Sequence, residues 1–298
     1  GLDVARKLAA QADIVVENFS PRVVEQFGLD YDSLVSLKPD VIVVRMPGYG
    51  LRGPWRDYVG WALNFEQTSG MSAVTGYPDG PPCNPQGPAD PIVGVHAGVA
   101  LLAALEHRAR TGAGQLIEIA QIEVAACVTA EPAIEYSMNG AVRPRVGNRR
   151  RGRLQGVYPT ADGEAWVALS VPEQPIDHDV FDELVAAWTR TRTAVEIVET
   201  LQAQGIPAEQ VITADRMYEI AQLDARGYYE EFDHPITGPH RYPGWPFRIT
   251  PGPPSHHRTA PPTLGQHNDE ILRELGLSAQ DVADLRHRRV VGERVLNA

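Results

Sequence analysis

The chain has 298 residues and a formal net charge of −11, with 43% hydrophobic and 22% charged residues. This balance is typical of a globular protein and argues against general nucleic-acid binding, which needs a basic surface. Only two cysteines are present. We therefore expect a reducing, cytoplasmic setting and no disulfide scaffold. No unbroken apolar run approaches the ~20 residues of a membrane span, and we expect no membrane association.

The first part of the chain alternates between helical and extended patterns. Apolar spacing and start and stop residues predict helices over 2–12, 22–27 and 31–37 and strands over 13–16 and 40–45. This rhythm is typical of a doubly wound α/β fold. A crossover helix needs a strand before it, so we expect the natural domain to begin earlier than Gly1. No G-x-G-x-x-G opens a helix, so no dinucleotide site is predicted.

A glycine-rich segment, 46–56, follows the strand of residues 40–45. It therefore lies at the carboxyl end of a strand, the edge where ligands bind in open parallel sheets. A plain turn is the alternative, because glycine and proline mark turns of all kinds. A short helix is predicted over 61–69.

Asp90 precedes a long apolar helix predicted over 92–110. Pro91 suits the first helical turn, so Asp90 is expected at the N-cap, where its carboxylate can accept backbone N–H groups. Gly94 and Gly98 are small enough for a ligand to approach. From the local pattern alone, an ordinary cap on a buried helix is the favoured interpretation.

The middle of the chain contains a basic segment, 143–153, which has no apolar periodicity. It is either a solvated linker or a phosphate-binding loop. Before it we predict a strand over 115–119 and a helix over 121–138 that is kinked at Pro132.

A second region begins near Val157. We predict a hairpin-like turn over 158–163, extended segments over 165–171, 228–232 and 245–249, and helices over 180–188, 194–204, 217–226, 268–275 and 279–289. Ser278 is a plausible N-cap for the last helix. His256 and His257 are adjacent and lack the spacing of a metal pair, so no metal site is predicted.

Ten segments in one order carry a family resemblance: 12–21, 48–55, 69–72, 75–82, Asp90 with its helix, 111–115, 160–163, 203–208, 225–228 and 264–267. The ordered set resembles the class III CoA-transferases, which include formyl-CoA transferases, CaiB/BaiF proteins and α-methylacyl-CoA racemases. The resemblance spans essentially the whole chain. The family's first strand–helix–strand has no counterpart here.

The resemblance implies an N-terminally incomplete α/β fold with a Rossmann-like large domain built on a parallel sheet. Residues 1–152 would form this large domain, 157–248 a smaller α+β domain, and 249–298 a segment returning to the large one. Family members form dimers of two interlocked subunits. A homodimer or a tandem partner domain is therefore expected.

The resemblance also implies a role for Asp90 as the nucleophile that attacks the thioester of an acyl-CoA. A carboxylate can carry an acyl group through two easier steps. A glycine-rich loop is expected to hold the oxyanion, and Gly48, Tyr49 and Gly50 are the candidates.

The family's CoA-binding loop corresponds to Asn18, Phe19 and Ser20. The arginine that follows in the family falls on Gln26 here, so Arg22 is the candidate for the lost phosphate contact. CoA enters as part of a substrate, the other substrate is a free carboxylic acid, and neither a tightly bound cofactor nor a metal is expected.

Racemases of the family have His-Asp where this chain has Trp61 and Ala62. Tryptophan cannot act as a proton-transfer base, so the resemblance favours transfer over racemisation. Two alternatives remain open: a catalytically incomplete structural half of a tandem or split transferase, and a racemase or epimerase that uses a different base. Glu173 lies near the racemases' later glutamate, without a firm alignment.

Overall fold

The computed structural model describes residues 1–255 and 257–294. The chain divides into two compact units. One unit comprises Leu2–Gly156 and Ser170–Phe181, and the other comprises Gly1, Val157–Leu169 and 182–294. The expected boundaries at 152, 157 and 248 stay a prediction.

The first unit is built on a three-stranded parallel sheet of order β1-β2-β3. Its elements are α1 (Leu2–Gln11), β1 (Ile14–Glu17), α2 (Pro21–Phe27), α3 (Tyr31–Leu37), β2 (Ile42–Arg45), α4 (Ala62–Thr68), α5 (Ala89–Thr111), β3 (Leu116–Glu118), α6 (Gln121–Val128) and α7 (Ala130–Asn139). Ile14 is paired with Ile42, and Val43 with Leu116. The expected mixed α/β class with a parallel sheet is confirmed.

The central strand β2 is buried on both faces, as its continuous apolar sequence predicts. Val41, Ile42 and Val43 have no exposed surface. Position 114, just before β3, has no space for a side chain, so the packing requires glycine there. A Cβ atom at this position would lie 2.0 Å from the carbonyl oxygen of Val41.

Helix α5 begins earlier than the sequence indicates, and Asp90 is not its N-cap. Pro88 occupies the N-cap position without a side-chain cap, and Asp90 is the second helical residue. The reason is that Glu66 accepts the Ala89 N–H at 3.3 Å, so this amide needs no local cap. Pro91 lies in the first turn, as predicted.

By length and composition α5 could cross a membrane, although charged residues interrupt its apolar sequence. This is weak evidence, since core helices of water-soluble proteins meet the same criterion. Val93, Ala97 and Ala104 of α5 are buried within the protein, whereas Val95 and Val99 are exposed. The expectation of no membrane association stays a prediction.

The predicted kink at Pro132 is wrong, because the helix breaks at Thr129. Its hydroxyl donates to the carbonyl oxygen of Ser69 at 2.7 Å, and Thr129 has φ −104° and ψ 21°. Pro132 is instead the third residue of α7, where its missing N–H is tolerated.

The remaining elements form two small sheets and several helices. They are β4 (Arg153–Pro159), β5 (Trp166–Pro172), α8 (His178–Thr189), α9 (Ala194–Gln202), β6 (Ala208–Gln210), a 3₁₀ helix (Ala214–Glu219), α10 (Ala221–Ala225), β7 (Tyr229–His234), β8 (Gly238–Pro243), α11 (Asn268–Glu274) and α12 (Ala279–His287). β5 pairs with β6, and β7 with β8, in antiparallel fashion.

Three predictions for this part are corrected. The segment 245–249, which was expected to be extended, is not a strand, and β7 pairs with β8 instead. The 217–226 helix is a 3₁₀ helix followed by the short α10. The end of the basic segment, Arg153, belongs to β4. The cap at Ser278 is confirmed: its hydroxyl accepts the Asp281 N–H at 3.2 Å.

Candidate active site

The segments after β1 and β2 lie at one edge of the parallel sheet. Residues 18–20 follow β1, and the glycine-rich segment begins at Met46, directly after β2. The Met46 N–H donates to the carbonyl oxygen of Glu17 at 2.9 Å, which joins the two segments. The carboxyl ends of parallel strands are where ligands bind in such sheets.

A nearly buried ion pair stabilises this edge. Arg45 Nε donates to Glu17 Oε1 at 2.6 Å, and the two side chains are 5% and 8% exposed. The other carboxylate oxygen of Glu17 accepts the Phe19 N–H at 2.9 Å. The ion pair therefore fixes the start of the loop that contains Asn18, Phe19 and Ser20.

The glycine-rich loop is fixed from two sides. The Ile122 N–H donates to the Gly48 carbonyl oxygen at 3.0 Å, and the Leu51 N–H donates to Glu118 Oε1 at 2.7 Å. Within the described residues, the N–H groups of Gly48, Tyr49 and Gly50 have no acceptor. Three consecutive backbone donors of one ordered loop thus have no acceptor within the described part of the chain.

Tyr49 is the centre of an aromatic cluster that sequence analysis did not identify. Its ring centroid lies 5.3 Å from Phe65, 5.6 Å from Trp55 and 6.1 Å from Tyr58, each in edge-to-face geometry. Trp55 and Tyr58 stack on each other and are about half exposed. The unusual number of aromatic residues between 49 and 65 was the available signal.

Asp90 is exposed, and its carboxylate has no hydrogen bond or ion pair to the described part of the chain. The preceding residue, Ala89, is buried in a cluster with Phe65, Met71 and Ala125, against which Tyr49 also packs. The start of α5 and the glycine-rich loop therefore contact the same core cluster. The N-terminus of a helix favours a negative charge, so the ionised carboxylate suits this position.

The segment that leads to Asp90 is held at both ends. Arg145 donates to the carbonyl oxygens of Tyr77 and Gly80 at 3.2 and 2.9 Å. At the other end, Glu66 Oε1 accepts the Gly87 N–H at 2.9 Å. Neither contact was predicted, because both join residues that are distant in the sequence.

Most of the basic segment is engaged by protein groups. Arg143 binds Glu131 and Glu135, which raise the pKa of its guanidinium, and Arg149 binds Asp179. Arg153 donates to Ser170. The structure gives these side chains structural partners. Only Arg150 and Arg151 lack one within the described residues.

The candidate CoA-binding residues are accessible. Asn18, Phe19 and Arg22 are exposed, and Ser20 is half-buried. Arg22 and Gln26 lie four residues apart on α2 and so share one face. Trp61 is 77% exposed at the start of α4.

No group of three or more metal-ligating side chains occurs within 1–255 and 257–294. His257 is bound to Glu230 at 2.9 Å, and His256 lies outside the described residues.

Residues 1–179 and 173–268 match the model of CoA-transferase family III. The chain belongs to this family. The succinyl-CoA–D-citramalate CoA-transferase of Chloroflexus aurantiacus is 31% identical and is matched over 98% of this chain and 79% of its own length.

Two further comparisons extend this assignment. The beta subunit of the succinyl-CoA–L-malate CoA-transferase of the same organism is 29% identical, with 98% of this chain and 80% of its own length matched. A CaiB/BaiF family protein from Brucella suis has a crystal structure that superimposes with a TM-score of 0.83 at 24% identity, covering 92% of this chain and 78% of that one. The fold of this family III member is therefore that of the CaiB/BaiF proteins.

Proposed function

We propose that this chain moves CoA from an acyl-CoA to a free carboxylic acid, with Asp90 as the nucleophile. The observation that carries the proposal is the state of the Asp90 side chain. Its carboxylate is exposed in the first turn of a 23-residue helix and has no partner among the described residues. A carboxylate at the N-cap is engaged by backbone amides, whereas Asp90 lies inside the first turn and has no such partner in the described chain.

The proposed reaction uses the carboxylate as an acyl carrier. Asp90 attacks the thioester carbonyl, the C–S bond breaks, and a mixed anhydride and CoA thiolate form. The thiolate then attacks the Asp90 carbonyl, which releases the donor carboxylate and leaves a CoA thioester on Asp90. Each of these steps transfers an acyl group between two nucleophiles held close together.

The second half reverses the first with another acid. The acceptor carboxylate attacks the Asp90 thioester carbonyl, which gives a new anhydride and releases CoA thiolate. The thiolate attacks the acceptor's acyl carbon, so a new acyl-CoA forms and the Asp90 carboxylate is restored. No cofactor, metal or net proton transfer is needed.

Gly48, Tyr49 and Gly50 are proposed to stabilise the oxyanion of these steps. Their N–H groups have no acceptor within the described chain and lie in a loop anchored by Ile122 and Glu118. Donors that are fixed before the reaction are worth more than mobile ones, because they need no reorganisation.

Asn18, Phe19, Ser20 and Arg22 are proposed to contact CoA. The three loop residues follow the carboxyl end of β1, and Arg22 is an exposed cation in the first turn of α2 without a partner in the described residues. A phosphate or pyrophosphate group is a natural ligand for such an exposed arginine.

The relatives' names support dicarboxylic acids as a substrate class. One relative is named for transfer from succinyl-CoA to D-citramalate, and another is the beta subunit of an L-malate enzyme. We propose that this chain likewise acts as one subunit of a dimer in the cytoplasm, either with a second copy or with a related partner chain.

A catalytically incomplete half is the alternative with an observation in its favour. Gln26 stands where the family's arginine is expected, and the L-malate relative is one subunit of a two-subunit enzyme. A racemase is disfavoured, since the exposed Trp61 has no basic group.

Mass spectrometry of the protein after incubation with succinyl-CoA and a free dicarboxylic acid tests the proposal. We expect a CoA or acyl adduct on the Asp90 peptide, together with the new acyl-CoA. Asp90→Asn should give neither product while it keeps the native circular dichroism spectrum. Transfer that persists in Asp90→Asn would refute the assignment. The absence of both adduct and CoA binding by calorimetry would favour the incomplete half, and deuterium uptake at the acyl α-carbon without transfer would favour a racemase.

A further inference from the structure

Glu66 is a fully buried acidic side chain for which the proposed reaction has no use. It has no exposed surface and follows Phe65 of the core cluster on α4. Taking a carboxyl group out of water is costly unless hydrogen bonds replace the lost solvent. A buried carboxyl group of this kind therefore needs hydrogen-bond partners within the protein.

One oxygen of Glu66 binds the two backbone amides immediately before Asp90. Oε1 accepts the N–H of Gly87 at 2.9 Å and that of Ala89 at 3.3 Å. The residue between them, Pro88, has no N–H to donate. Every backbone donor of residues 87–89 is therefore bound to a single atom of another helix.

These contacts replace the local cap of α5. Pro88 at the N-cap has no side chain that could accept a hydrogen bond, and Asp90 does not fold back onto the helix. The first amides of a helix otherwise need a side chain or water as partner. Since Glu66 supplies this acceptor from α4, the carboxylate of Asp90 remains available.

The other oxygen of Glu66, Oε2, is buried and has no partner within the described residues. The interaction is therefore carried by Oε1 alone. Glutamine offers the same oxygen as an acceptor, whereas methionine has a similar length and volume and offers none. These two substitutions separate the hydrogen bonds from the packing.

We propose that Glu66 is the positioning residue for the Asp90 nucleophile. It fixes the peptide before Asp90 relative to α4, and α4 also contacts the glycine-rich loop through Phe65. The same helix, α4, therefore positions both the nucleophile and the proposed oxyanion donors. This inference rests on the proposed function, because it assigns Glu66 a part in that reaction.

The first test compares Glu66→Met, Glu66→Gln and the native chain in the transfer assay. We expect Glu66→Met to lower kcat by about 10–100-fold, since small displacements of a reacting group have effects of this size. KM for the acyl-CoA should change by less than about 3-fold, because no proposed CoA contact is altered. Glu66→Gln should keep kcat within about 3-fold of the native value, since the glutamine Oε1 can still accept both amide N–H groups.

Thr189→Ala is the matched control. Thr189 is also a fully buried polar residue, but it lies in the other compact unit, where its hydroxyl donates to the Ala186 carbonyl. It should lower the melting temperature without changing kcat. The proposal would be overturned if Thr189→Ala, at the same decrease in melting temperature, lowered kcat as much as Glu66→Met does.

The second test measures hydrogen exchange at Gly87 and Ala89 and needs no activity. These amides should exchange slowly in the native chain, in Glu66→Gln and in Asp90→Asn, and fast in Glu66→Met. Unchanged exchange in Glu66→Met would overturn the inference. If the native chain forms no adduct on Asp90, the proposed function fails, and altered exchange would show that Glu66 still orders this peptide.

Discussion

Phe65 lies directly against Gly48. A Cβ atom at position 48 would be 2.6 Å from the Phe65 ring, closer than real Cβ atoms approach any neighbour. Gly60 contacts the same ring, and a Cβ atom there would also lie 2.6 Å away. The backbone of the glycine-rich loop therefore approaches α4 as closely as glycine allows.

We predict that Gly48→Ala displaces the loop and lowers transfer activity by about 10-fold or more, because sub-ångström to 1 Å shifts of catalytic groups have such effects. Overpacking of this kind also costs about 1–3 kcal/mol of stability. Steady-state kinetics and urea unfolding measure the two effects.

Gly80→Ala is the control for this prediction. Gly80 has no positive φ, and a Cβ atom at this position would meet nothing closer than the Tyr77 carbonyl oxygen at 3.8 Å. The variant should retain activity and stability. Equal activity of the two variants would contradict the role of the Phe65 contact.

The ion pair between Arg45 and Glu17 should be essential for stability. Arg45→Met leaves the nearly buried Glu17 carboxylate without its cation, which costs about 3–5 kcal/mol. The double substitution Arg45→Met with Glu17→Leu should recover part of this loss, since no unpaired charge remains.

Urea unfolding of the single and double variants checks this prediction. Arg110→Met is the control, because Arg110 and Glu106 are 75% and 61% exposed in their ion pair. Exposed pairs contribute only about 0–1 kcal/mol. A similar loss in Arg45→Met and Arg110→Met would contradict the importance of burial.

Arg145 should order the segment before Asp90. Its guanidinium donates to the Tyr77 and Gly80 carbonyl oxygens, so Arg145→Ala removes two contacts that close this segment. We expect limited proteolysis within 75–87 to become faster, because opening of the segment becomes easier. The control is Arg150→Ala, which changes an exposed side chain that has no partner within the described residues. The protease should cleave this variant at the native rate.

Acid should weaken the start of α9 through Asp162. The hydrogen bond from the Thr160 hydroxyl, with a smaller contribution from the Ala194 N–H, holds the pKa of the Asp162 carboxyl below its ordinary value of 3.8. A lowered pKa means that the ionised carboxylate is stabilised by folding. Its contribution is fully present above the unfolded value of about 4 and is lost as the pH falls through the folded value.

Thermal melts of the native chain and Asp162→Asn between pH 2 and 7 test this linkage. The native chain should melt at the higher temperature above pH 5, and the difference should shrink below pH 4. Because Asp162 is exposed, solvent screening keeps the effect small. A difference that does not depend on pH would exclude the charge as its source.

The elements of the parallel sheet could be predicted because their signals are local. The continuous apolar run of β2 and the Pro21 and Gly28 boundaries of α2 each lie within a few residues. The strand β8 was missed because its sequence, Gly238–Pro243, has little strand propensity and is defined by pairing with β7.

The candidate site was predictable only in part. Asp90 and the glycine-rich loop were proposed from motif and order and stay predictions as site residues, whereas the N-cap assignment of Asp90 was wrong. A distant acceptor, Glu66, satisfies the amide at that helix start, and no local pattern reports a contact across 23 residues. The contacts of Arg145 with Tyr77 and Gly80 span more than 60 residues and were invisible for the same reason.

Consecutive residues of α4 point in directions about 100° apart, so Phe65 and Glu66 hold two different parts of the chain from one turn. The spacing between those parts is consequently set by the thickness of a helix and not by the path of the segment 75–87. Insertions or deletions within 75–86, before the Gly87 N–H that Glu66 accepts, should leave Asp90 where it is. An added or deleted residue within α4 should disrupt the Phe65 contact with the glycine-rich loop or the Glu66 hydrogen bonds before Asp90. We expect such a variant to lose transfer activity.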